Sequence, residues 1–249
     1  MKMFRNTAIV FLMLNSAIIR NLSIIEVLMK KTERWKEKYG IANLFIVLIC
    51  TLSLIINAFT VSKEELLSLN ENKALAFLLN FLLADKGIFI SNGSMSYNAV
   101  FHDRQYWRII TNIYLHAGLL HMAFNMVALI CVGRYIEKKI GSIMYAFCFN
   151  IIAMVDAIMI CMIFPGEVSV GASAGIFGIL GMTVTFFIID RNSMNDMKKR
   201  EFIFLIIFSV LSLVLGLSSF IHHLSAFVIG LAAGLVIYKR FNVLINGKE

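Results

Sequence analysis

Apolar runs of near-membrane length, separated by short polar stretches, set the pattern of this chain. One run covers residues 41–60, and a long stretch of mixed charge follows it. A second apolar stretch extends over residues 109–132, broken by His116 and His121, with the membrane helix proper expected to begin near Gly118. A third covers residues 142–164 and stops before Pro165, and a fourth covers residues 171–189. Residues 202–238 then carry no acidic or basic side chain except two histidines, enough for two spans folded back near residues 216–221. About 20 apolar residues suffice to cross a bilayer as a helix. The pattern therefore predicts an all-α membrane protein with six transmembrane helices over residues 40–240. The short apolar insert at residues 74–83 cannot cross, and suits an interfacial or re-entrant helix.

Residues 1–39 combine a basic character with a short apolar run, residues 7–19, that ends at Arg20. No small-residue cleavage site follows, which argues against a removed signal peptide. An amphipathic helix on the cytoplasmic membrane face is the expected form, with an additional span as the alternative. Residues 241–249 read as a short cytoplasmic tail. Composition agrees with a membrane chain: 59% of the residues are hydrophobic and mean hydropathy is +0.82. The net charge of +8 could suit nucleic acid. Its placement excludes that partner, because the basic residues sit between apolar runs. With the N-terminus inside, the inner segments carry eight, three, four and three of the 23 basic residues, leaving five, all in the first outer loop. That bias predicts both termini in the cytoplasm. The four cysteines lie within apolar runs and show no metal-ligand spacing, so no metal and no cofactor is expected.

Polar groups inside a bilayer are costly and are usually functional or mutually paired. Gly171-Ala172-Ser173-Ala174-Gly175 opens the fourth run, where free backbone N–H groups and the helix dipole would favour an oxyanion at Ser173. Small residues with a serine also suit helix packing, so this segment alone leaves both readings open. His223 opens the last run, followed by Ala226, Gly230 and Gly234 on one face, and the fourth run offers a matching strip in Ala174, Gly178 and Gly181. Packing of those strips would set His223 beside Ser173, as a base that activates the hydroxyl. His121 and Asn125, four residues apart, share one face of the second span. They could supply oxyanion donors or act as a polar pair between helices. Trp107-Arg108 suits an interfacial anchor. Asp156 lies in the middle of the third span with no evident partner, and His222 is expected at the interface, pointing away from His223.

Together these segments resemble the signatures of the rhomboid intramembrane proteases: Trp107-Arg108, His116…His121…Asn125, Gly171-Ala172-Ser173-Ala174 and His223…Ala226…Gly230, with Gly133-Arg-Tyr-Ile-Glu137…Gly141 at the inner end. Ala226 stands where the family prefers glycine, so slightly wider packing is expected there. The resemblance implies a six-span rhomboid-like bundle in the cell membrane and a Ser173–His223 dyad without aspartate. It also implies His121 and Asn125 at the oxyanion, with His116, Gly171 and Phe177 in support. Phe177 falls where the family carries an aromatic beside the catalytic histidine. The expected substrates are transmembrane segments of other proteins. A catalytically inactive, substrate-binding relative and a small transporter are the alternatives, the latter weakened by the lack of internal repeats. Oligomeric state is not encoded in these patterns.

Overall fold

The computed structural model describes residues 40–59, 93–189 and 217–246. Within them the chain forms α1 (Ile41–Phe59), a π turn (Asn98–His102), a short α2 (Arg108–Thr111), α3 (Leu119–Ile140), α4 (Ser142–Ile163), α5 (Ser173–Ile189) and α6 (Leu217–Asn246). No strand occurs among the described residues, only one isolated bridge between Met95 and Ser169. Three helical stretches of 22 residues, Leu119–Ile140, Ser142–Ile163 and Ser219–Arg240, are long and apolar enough to cross a membrane. At about 1.5 Å per residue each covers the roughly 30 Å of a hydrocarbon core. The apolar helices Ile41–Asn57 and Ser173–Ile189 are shorter. The basic N-terminal segment, the insert at residues 74–83 and most of the expected fifth span lie outside the described residues. Residues 217–221, expected in a fold-back, already belong to α6, which also runs past residue 240 to Asn246.

Side-chain placement follows helical spacing. On α1, Ala42, Ile46, Cys50 and Leu54 recur every four residues and are buried, while Phe45, Leu48, Leu52 and Ile55 are exposed. That is one stripe toward the bundle and one toward lipid. The polar interior complements this apolar exterior. Glu137, buried near the end of α3, accepts hydrogen bonds from the Ala42 and Asn43 backbone N–H groups at 2.8 and 3.0 Å, and from the Ser142 hydroxyl at 2.5 Å. It thereby caps α1, whose first N–H groups have no partner inside the helix. Gly133, one turn earlier, leaves room for Tyr145 and Asn43, whose side chains join in a hydrogen bond at 2.5 Å.

The tightest packing lies between α5 and α6. A Cβ at Gly230 would fall on the Gly178 backbone, one at Gly181 on the Phe227 carbonyl, and one at Gly234 against Thr185 and Met182. In lipid, where apolar burial between helices gains little, such backbone approach supplies dispersion contact. The Thr185 hydroxyl adds a hydrogen bond across the pair to the Leu231 carbonyl at 3.0 Å.

Candidate active site

The sharp α5–α6 contact aligns the beginnings of both helices at one end of the bundle. Ser173 is the first residue of α5, and the segment before it, residues 164–172, is fastened from three sides. The Ser169 and Met95 backbones exchange hydrogen bonds at 2.8 and 3.0 Å. Gly171 donates its N–H to the Asn112 carbonyl at 2.8 Å. Ala172 donates to His116 Nε2 at 3.5 Å. Gly171 has φ +117°, a conformation that side chains rarely adopt.

Phe177, one turn after Ser173, stacks on the His223 ring with centroids 4.4 Å apart and planes 15° from parallel. Ser173 and His223 are both buried, and no hydrogen bond joins their side chains. His223 Nδ1 has no hydrogen-bond partner among the described residues.

On the other side of Gly171 stand His121 and Asn125. A Cβ at Gly171 would lie 2.9 Å from His121 Cε1, 3.2 Å from His121 Nε2 and 3.6 Å from Asn125 Nδ2. His121 Nδ1 accepts from the Ala117 N–H at 3.3 Å, so in the neutral ring the proton sits on Nε2, the nitrogen facing Gly171. Asn125 Nδ2 is buried without a hydrogen-bond partner among the described residues. Two donors thus converge on the small space over Gly171. His116, wholly buried, packs edge-on against His121 with ring centroids 5.3 Å apart and lines its Nδ1 up with the Tyr114 carbonyl at 3.3 Å. Burial, with nearby His121 adding to it, pushes the His116 imidazole down to about 3. A neutral ring donating from Nδ1 and accepting at Nε2 fits both contacts. Arg108 is buried, donates to the Gln105 side chain at 2.6 Å and the Ser94 carbonyl at 2.9 Å, and lies over the Trp107 ring at 4.7 Å. Arg108 thereby fastens Ser94, the neighbour of the Met95 that is bonded to Ser169.

The Rhomboid domain family model matches residues 103–240, more than half of the chain. The chain belongs to the rhomboid family. Similar proteins include RHOMBOID-like protein 5 of Arabidopsis thaliana, 32% identical over 139 residues, 54% of this chain and 45% of that protein. Rhomboid-like protease 3 of Toxoplasma gondii is 28% identical over 165 residues, 61% of this chain and 62% of that protein. Inactive RHOMBOID-like protein 8 of Arabidopsis thaliana is 27% identical over 129 residues, 52% of this chain and 36% of that protein. The first curated relatives are matched over less than two thirds of their own length. The rhomboid domain and its apolar helices make this a membrane protein. The family holds proteins named as proteases and proteins named as inactive.

One sequence expectation for this rhomboid chain needs correction. Asp156, wholly buried in α4, has partners after all: the Ser225 hydroxyl and His222 Nδ1, both near the beginning of α6. His222 is therefore more than an interface residue. A visible signal was available, because His222 and Ser225 stand three apart on one face of α6.

Proposed function

We propose that this chain is an intramembrane serine endopeptidase that cuts transmembrane segments of other membrane proteins. What carries the reading is one constellation. Phe177 packs the His223 ring one turn from Ser173, while His121 Nε2 and Asn125 Nδ2 converge over the adjacent Gly171. In this reading His223 takes the Ser173 hydroxyl proton as the oxygen attacks the scissile carbonyl. The tetrahedral oxyanion is held by His121, Asn125 and the Ser173 backbone N–H, which opens a helix and has no partner within it. Collapse of the intermediate expels the amine, which leaves with the proton from His223, and an acyl-Ser173 ester remains. Water, deprotonated by His223, then attacks the ester and releases the acid. The absence of a Ser173–His223 hydrogen bond is compatible with this chemistry, since such contacts often tighten only with substrate bound.

The same reading places six spans in the cell membrane with both termini in the cytoplasm, so the site opens at the outer face. A helical substrate hides its peptide bonds, and segments with small or helix-weakening residues near that face are the expected targets. The test is cleavage of a single-span substrate in proteoliposomes. The wild type is expected to cut and Ser173→Ala to be silent. Equal silence of both proteins would favour a substrate-binding relative without catalysis.

A further inference from the structure

A second polar chain crosses the same end of the bundle and takes no part in the chemistry proposed above. Asp156 reaches from α4 to His222 Nδ1 and the Ser225 hydroxyl on α6. The other ring nitrogen, His222 Nε2, lies 3.1 Å from the Ser169 hydroxyl, in the segment that leads into Ser173. Ser169 also lies 3.4 Å from Asn112 Oδ1, and the Asn112 carbonyl holds the Gly171 N–H. His222 thus connects α4, the beginning of α6 and the segment before the nucleophile through one rigid ring. Its neighbour in sequence is His223.

We propose that His222 is a positioning residue, clamped by Asp156 and bonded to Ser169, that sets His223 relative to Ser173; the proposal rests on the protease reading of those two residues. Rotation of α6 about its axis would carry His223 away from α5. The Asp156 clamp opposes that rotation from the α4 side, and the Phe177 stack opposes it from α5. The Ser169 bond couples the same ring to the backbone that presents Ser173. Small displacements of reacting groups cost up to about 10²-fold in rate.

The experiment uses the full chain in lipid or detergent. His222→Ala is expected to lower kcat about 10–100-fold with KM within about twofold, and Asp156→Ala in that background is expected to add little. Two isosteric variants divide the ring's contacts. His222→Asn retains a donor for Asp156 where Nδ1 stood, and His222→Gln retains a hydrogen-bonding group for the Ser169 hydroxyl where Nε2 stood. Each is expected to recover part of kcat. Wild-type kcat in His222→Ala would overturn the proposal, as would equal losses in kcat from Ala, Asn and Gln. A second reading is independent of cleavage: proton spectra of ¹⁵N-histidine protein, which has five histidines. A far-downfield imidazole N–H, as carboxylate-bonded rings give, is expected in the wild type and lost in Asp156→Ala. Its absence from the wild type overturns the clamp whatever the assay shows. Its presence in a wild-type protein that cuts nothing would leave the clamp standing and bring down the protease reading instead.

Discussion

At Gly171 the backbone adopts φ +117° directly beside His121, and a methyl group there would stand 2.9 Å from the ring. Gly171→Ala combines strain with a clash, so it is expected to cut kcat at least about tenfold while the protein still folds; circular dichroism and the cleavage assay separate the two effects. The donors nearby give a sharper expectation. His121→Ala and Asn125→Ala should each slow cleavage about 10²–10³-fold, and wild-type rates in both would show the pair to be a structural link between helices. Only their placement was legible in the sequence, because it rests on local spacing: His121 with Asn125 at four residues, Phe177 one turn beyond Ser173. Asp156 was legible only as an anomaly. Its partners His222 and Ser225 lie 66 and 69 residues away on another helix, and no periodicity within α4 points to them.

For the helices, sequence and structure agree to within a residue or two where glycine or proline marks an end. The third span, α4, ends at Ile163, two residues before Pro165, and Ser173 begins α5 two residues after the left-handed Gly171. The small-residue strips of α5 and α6 were also visible, as spacings of three and four. Invisible was the use each glycine serves: Gly178 meets Gly230 through backbone while its own Cβ position faces Ile152 on α4. Gly230→Val would therefore push backbone from backbone, and it is expected to abolish cleavage and lower the thermal midpoint together. The Glu137 cap makes a separate expectation about α1. Glu137→Ala leaves two backbone N–H groups and the Ser142 hydroxyl without their acceptor, and should cost about 1.5–3 kcal/mol per lost charged hydrogen bond before water compensates. Denaturation in mild detergent measures it, and an unchanged midpoint would mean that α1 is held by packing alone.

Across the whole molecule, the alternation of basic segments argues for an even number of spans, while local geometry argues for a site at the beginnings of α3, α5 and α6. The two arguments are independent and meet in one requirement: the site must face away from both termini. Reporter fusions after residue 249 and within residues 164–172 are expected to report opposite sides of the membrane; the same side for both would break the six-span topology. The orientation expectation rests on charge placement alone, whereas the stacking of Phe177, one turn beyond Ser173, on His223 depends on tertiary packing that the strips only suggested. The account stands most directly on the activation of Ser173 by His223. A fluorophosphonate probe, with the modified peptide identified by mass spectrometry, reads that activation without any knowledge of the natural substrate. Labelling should fall on Ser173 in the wild type, disappear in Ser173→Ala and drop at least about 10²-fold in His223→Ala, the usual scale of a lost general base. A folded protein whose Ser173 is unreactive, or reacts equally well without His223, would contradict the account.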